Sequence, residues 1–253
     1  MPSIFVAHGA PPLLDDALWM SELRGWAESM PRPTAILMVS AHWEQRPVTL
    51  GATATVPLVY DFYGFPKRYY ETTYPAPGAP RLASRVRQLL SGSHSVSDAP
   101  ARGLDHGAYV PLVAMLPEAD IPVLQMSIPT MDPAPLVALG RALAPLRDEG
   151  VLIVGSGFIV HNLRAARPGS PGAPQWAIDF DAWTAQALAK RDVDALIQYR
   201  TLAPGVEMAL PTHEHFVPLL IAFGASLDRS EAVTFPITGL WWGAFTKRSA
   251  QFG

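Results

Sequence analysis

The sequence contains no cysteine. Disulfides, zinc fingers, iron–sulfur clusters and thiol nucleophiles are thereby excluded, and a metal can sit only on His nitrogen or carboxylate oxygen. Charge is scarce: 16% of the 253 residues are charged and 49% hydrophobic. That balance excludes a disordered chain. Neither sign dominates. The net charge is −3, without the basic stripe of a nucleic-acid binder, so no nucleic-acid partner is expected. No run approaches the ~18 apolar residues that cross a bilayer, so no membrane partner is expected either. The opening MPSIFVAHGAPP has no basic n-region and too short an apolar run for a signal peptide, and a cytoplasmic location is the expectation. There is no internal repeat and no heptad run.

What is present reads as α/β. Four short runs, Ile4–Ala7, Ala35–Ala41, Pro122–Ile128 and Val151–Val154, are nearly all apolar, as suits strands of a parallel sheet covered on both faces. Helical stripes lie between them. Leu82, Val86, Leu89 and Leu90 form one, and Leu136, Leu139, Leu143 and Leu146 another, the latter with Asp132 as N-cap and Pro133 at the first helical position. The expectation is a single domain, 1–253, with a central, mostly parallel sheet flanked by helices. The chain has 26 prolines and 19 glycines, which punctuate long loops. Pro57–Pro80 is rich in Tyr and Phe and reads as a folded wall. Arg167–Pro174 reads as a flexible surface loop.

The seven histidines are unevenly placed. His8 ends the first strand, His42 ends the second, and His161 follows the VLIVGSG strand. Ligands of an open parallel sheet bind outside the carboxyl ends of its strands, so these three could share a crevice. A lone histidine at a strand end is more often a hydrogen-bonded structural residue. Several unpaired buried imidazoles would be costly, however, and a shared metal offsets that cost. His106 lies in GLDHGAYVPL, His213 and His215 lie in PTHEHFVPL, and His94 reads as an ordinary surface residue.

Thr212 reads as an N-cap, with Glu214 and His215 in a first helical turn distorted by Pro218. The HEH triplet lacks the spacing of a zinc protease. GSGF lacks the third glycine of a dinucleotide loop, and Ser156 lacks the second glycine of a nucleophile elbow. A small-residue turn allowing close backbone approach is the simpler reading. Trp241 and Trp242 read as core before pocket wall or interface.

The motifs HGAPP, SAHWE, YDFYGFP, YPAPG, GLDHGAYVPL, PEADIPV, GSGFIVHNL and EHFVPLL occur in this order. They resemble those of class III (LigB-type) extradiol ring-cleavage dioxygenases, in particular the DOPA-dioxygenase-type branch, from about His8 to Ala225. The resemblance implies an α/β fold with a metal site at one edge of the sheet. It implies one non-haem Fe(II), with Zn(II) in its place in some members. His8 and His42 match metal ligands. His215 matches the third, with Glu214 as its rival. His161 matches an acid/base residue that the DOPA-type branch counts as a metal contact. His106 matches a pocket histidine that touches substrate or oxygen. Many relatives carry His where Leu210 stands, which implies a pocket-edge histidine moved three positions to His213.

The chemistry agrees with that resemblance. Ring opening of a catechol by O₂ needs a metal with open positions, which a face of three protein ligands leaves. It also needs a proton acceptor and donor near neutral pH, a role that suits histidine. Tyr60, Phe62, Tyr63 and Phe65 could form an aromatic wall for a planar ring, with loop packing as the plain alternative. The expected partners are a catechol-type aromatic and O₂, and a homo-oligomer is compatible. Two other classes stay open: a zinc-dependent hydrolase or lyase using the same site, and a non-catalytic metal-binding module of the same fold.

Overall fold

The apolar runs form strands. In a computed structural model that describes residues 1–170 and 172–253, the strands are β1 (Ser3–Ala7), β2 (Ala35–Glu44), β3 (Val48–Leu50), β4 (Val96–Asp98), β5 (Val123–Ile128), β6 (Val151–Gly157), β7 (Val233–Ile237), β8 (Leu240–Trp241), β9 (Phe245–Thr246) and β10 (Ser249–Phe252). Eight form one sheet in the order β4-β3-β5-β2-β6-β1-β10-β7. The central four, β5, β2, β6 and β1, are mutually parallel. Antiparallel pairs flank them, β3 on β5 and β10 on β1. β8 and β9 make a separate hairpin.

Side chains alternate across each central strand. Phe5, Leu37, Val39, Leu124 and Ile153 face one core, while Ile4, Val6, Ile36, Met38 and Val154 face the other. Both faces need an apolar residue at every position, which is why the runs are continuous. Each such side chain contributes roughly 1.5–3 kcal/mol when fully buried.

The helices are α1 (Ala17–Ser29), α2 (Pro80–Leu90), α3 (His106–Met115), α4 (Pro133–Leu143), α5 (Pro145–Asp148), α6 (Gln175–Ala189), α7 (Val193–Ile197), α8 (Tyr199–Leu202), α9 (Val206–Ala209) and α10 (Val217–Gly224). α1 and α3 supply the second core, whereas α2, α4, α6 and α10 supply the first. The result is the single-domain α/β architecture expected.

Several local expectations need adjusting. β2 runs past Ala41, through His42, to Glu44, because it pairs again at Glu44–Ile128, and β6 runs on to Gly157, because it pairs with β1 as far as Ala7–Gly157. The Leu136–Leu146 stripe is two helices, since Pro145 opens a new turn. Asp132 holds the N-cap position without a side-chain cap bond. Thr212 is not the N-cap, a position held by Phe216, and its hydroxyl donates to Glu214 Oε1 at 2.9 Å. α10 starts at Val217, and the residues before it form a turn in which the Phe216 and Val217 N–H groups donate to the His213 carbonyl. Pro218 then sits in the first helical turn, where no N–H is needed. Of the Arg167–Pro174 loop, Arg167 is tied by its N–H to the Trp242 carbonyl at 2.9 Å, and Pro171 lies outside the described residues.

Candidate metal centre

The carboxyl ends of β1, β2 and β6 open onto one cleft of about 700 Å³. His8 follows β1, His42 lies near the end of β2, and His106 is the first residue of α3. His161 follows β6, its N–H donating to the Ala209 carbonyl at 2.9 Å. His215 lies in the turn before α10. All five rings line this cleft. His8 lies 5.0 Å from His42, 5.6 Å from His106 and 5.3 Å from His215, measured between ring centroids. His161 stacks on His215 at 3.5 Å. Two sets have donor atoms close enough to share an ion: His8 with His42 and His106, and His161 with Glu214 and His215.

Glycines make this convergence sterically possible. A Cβ on Gly157 would lie 1.9 Å from the His215 carbonyl oxygen, where the Phe158 N–H donates at 2.8 Å. The small-residue turn therefore admits the backbone carrying His215 rather than a ligand. A Cβ on Gly107 would lie 2.3 Å from Ser40 Oγ and 2.9 Å from His42 Cδ2.

The outer nitrogens of His8 and His215 have hydrogen-bond partners, and that of His42 faces a carboxylate. His8 Nδ1 lies 3.0 Å from Ser156 Oγ, and the Ser156 hydroxyl donates to the Gly107 carbonyl. The Ser156 oxygen is left to accept, so His8 carries its proton on Nδ1. His215 Nδ1–H donates to Glu214 Oε1 at 2.9 Å. His42 Nδ1 lies 3.5 Å from Asp61 Oδ2. Glu214, the rival third ligand, is thus the hydrogen-bond partner of His215.

Burial holds the rings neutral. Desolvation, reinforced by neighbouring imidazoles, pushes His8 and His42 well below the ordinary histidine range. It pushes His161 down to about 2. His215 is also lowered by burial, despite the opposing pull of Glu214. Burial alone would raise Glu214, but the bond from His215 and further bonds from its own backbone and Thr212 bring it down to about 2.

The donor set fits a divalent transition metal. Neutral imidazoles suit Fe, Zn, Cu and Ni. His8 Nε2 and His42 Nε2 stand 3.3 Å apart. Two nitrogens about 2.1 Å from one ion at a tetrahedral angle stand about 3.4 Å apart. His8, with its proton on Nδ1, turns its Nε2 lone pair toward His42 Nε2, a space in which a cation can replace a ring-to-ring hydrogen bond. Bonds from outer nitrogens to carboxylate or hydroxyl oxygen are the usual supports of such ligands.

The other residues singled out from the sequence divide. Phe62, Tyr63 and Phe65 line the cleft, with Tyr63 91% exposed at its mouth. Tyr60 does not. It sits behind the wall, 6.2 Å from Phe62 and 6.0 Å from Tyr109, and its hydroxyl donates to the Thr72 carbonyl. His213 is likewise outside the cleft, with its ring against Tyr199 at 5.5 Å. His94 is also remote, beside Ser93. Trp241 and Trp242, read as core, line the cleft, stacked at 3.9 Å. The β8–β9 hairpin turns them into the cleft, with Trp242 in the left-handed region at φ 52°.

Asp61 and Arg164 were missed. Asp61 stood inside the aromatic stretch already singled out, but nothing local pairs it with His106, 45 positions away. Arg164, three residues after His161, is the one Arg or Lys lining the cleft among the described residues.

Residues 10–241 match the family model described as the catalytic LigB subunit of aromatic ring-opening dioxygenase. The chain belongs to the LigB family. A relative of this LigB chain is the 4,5-DOPA dioxygenase extradiol of Beta vulgaris, 44% identical over 237 residues, covering 91% of this chain and 88% of that protein. The protein of the same name from Escherichia coli K12 is 39% identical over 259 residues, covering 100% and 95%. The crystal structure of an uncharacterized protein from Escherichia coli K12 superposes with a TM-score of 0.86 at 36% identity, covering 100% of both chains. LigB membership together with these relatives makes the chain an extradiol ring-opening dioxygenase. LigB dioxygenases depend on a metal, and the histidine cluster can hold one. No helix among the described residues is long and apolar enough to cross a membrane.

Proposed function

We propose that this chain opens the ring of a catechol carrying an amino-acid or other carboxylate side chain, using Fe(II) and O₂. The carrying observation is the convergence of His8, His42 and His215 with their Nδ1 atoms turned toward Ser156, Asp61 and Glu214. These three would hold Fe(II), with Zn(II) able to take the same donors and His161 stacked beside His215. When bound, the ion supplies the Lewis-acid and redox chemistry of ring opening and leaves positions for two small guests.

The chain's own residues do the rest. Phe62, Phe65, Trp241, Trp242 and Phe245 line the cleft and would offer a planar ring apolar surface to stack on. His161, stacked on His215 at 3.5 Å, is placed to take the phenol proton, and its burial favours giving that proton back during ring opening. His106 stands over His42 at 3.9 Å and orients substrate or oxygen. Arg164 makes no ion pair among the described residues. A guanidinium at the cleft wall suits a substrate carboxylate, and the relatives named 4,5-DOPA dioxygenase extradiol support a DOPA-type substrate.

The test is oxygen uptake with a panel of catechols after anaerobic loading with Fe(II), or with Zn(II) as control. Uptake with a yellow ring-opened product, strongest for carboxylated catechols, is expected with Fe(II) alone. No uptake with any catechol refutes the reading. Arg164→Gln is expected to raise KM for carboxylated catechols about tenfold or more and to leave that of plain catechol unchanged.

A further inference from the structure

We propose that Asp61 is a positioning residue that sets the proton arrangement of His42 and His106 together. Its two oxygens face different rings. Oδ1 lies 2.8 Å from His106 Nδ1 and also accepts the His106 backbone N–H at 3.1 Å. Oδ2 is buried, has no hydrogen-bond partner, and lies 3.5 Å from His42 Nδ1. A buried carboxylate oxygen without a partner is costly, and a His42 Nδ1–H at this distance can supply the missing bond after a small rotation.

An ionised carboxylate only accepts. The proton of a neutral His106 therefore sits on Nδ1, and its Nε2 lone pair is left free. The same holds for His42 once its Nδ1–H turns to Oδ2. One side chain thereby leaves Nε2 unprotonated on a metal-facing imidazole and on its neighbour, whose ring centroid is 3.9 Å away. Ser156 and Glu214 each serve a single ring in this way, whereas Asp61 couples two. The loop that supplies the aromatic wall thus also controls the proton positions of the site.

A plainer role for Asp61 is to accept the first N–H of α3. Asp61→Asn separates the two, because an amide oxygen still accepts that N–H while the charge is lost. The decisive measurement is the histidine tautomer in the metal-free chain, read by long-range ¹H–¹⁵N correlation near neutral pH. The His106 tautomer is independent of the metal-site reading. The His42 part rests on that reading, but its tautomer too is read without metal and without turnover.

The wild-type protein is expected to show Nδ1–H on His42 and His106. Asp61→Asn is expected to shift one or both toward Nε2–H and to weaken Co(II) or Fe(II) binding about 10–100-fold. It is expected to lower kcat more than it changes KM. Asp61→Glu, which keeps the charge, is expected to recover part of the Nδ1–H population. An Nε2–H tautomer on wild-type His106 overturns the proposal, and so do unchanged tautomers in Asp61→Asn. If the Asn variant fails to fold, the wild-type spectrum decides alone.

Discussion

At His8, His42 and His215, the histidines proposed to hold the metal, the group facing the outer nitrogen determines what the inner nitrogen presents. Glu214 accepts from His215 Nδ1–H and is itself ionised. Glu214→Gln replaces a pure acceptor with an amide that can turn its donor toward the ring. Metal affinity is expected to fall about 10–100-fold, measured by competition with a chromophoric chelator. An unchanged affinity would mean that Glu214 does not orient His215. The two roles open to His161 separate in the same way. His42→Ala is expected to lose the metal while the circular dichroism of the fold persists. His161→Ala is expected to keep the metal and lose turnover about 10²–10⁴-fold. A metal-free His161→Ala protein would make His161 a ligand.

Among the elements, the end of β6 carries the tightest constraint. Its last residue, Gly157, passes so close to the His215 carbonyl that a methyl group has no room. The obstructing atom is backbone, so no rotamer change relieves the clash. Gly157→Ala is expected to cost about 1–3 kcal/mol and to displace the His215 turn from the cluster. Thermal melting would show the first effect and metal content the second. A variant with normal metal content would show that the turn can shift without carrying His215 away. The β8–β9 hairpin makes a related point about local reading. Trp241 and Trp242 carry no polar signal to distinguish a cleft wall from a core, and only the hairpin's turn assigns them to the wall.

The whole molecule holds His8, His42, His161 and His215 neutral by burial. Unfolded, each would protonate near its ordinary pKa of about 6.5. Below that pH the unfolded chain binds more protons than the folded one, so stability falls as pH falls. The slope is at most about 1.4 kcal/mol per pH unit for each group. Melting of the metal-free chain is expected to be nearly level from about pH 8 to 7 and to drop steadily from about pH 6.5 to 5.5. A melting temperature unchanged across the lower interval would mean that these rings are hydrated and protonated in the folded state.

The amino-acid order alone determined the layered α/β sheet, because strands buried on both faces must be apolar throughout and the helices must carry stripes. It also pointed to His8, His42 and His161, which fall where parallel strands end, while His215 was singled out by the resemblance of its motif to a known third-ligand region. Tertiary structure decided which groups serve those histidines. Asp61, Ser156 and Glu214 act through the outer nitrogens, and the first two come from segments far from the rings they face. It also moved Tyr60 and His213 out of the cleft and brought Arg164, Trp241 and Trp242 into it. The physical reason is range. Periodicity and capping act over a few residues, whereas a hydrogen bond between side chains 45 positions apart exists only after the sheet has brought their elements together.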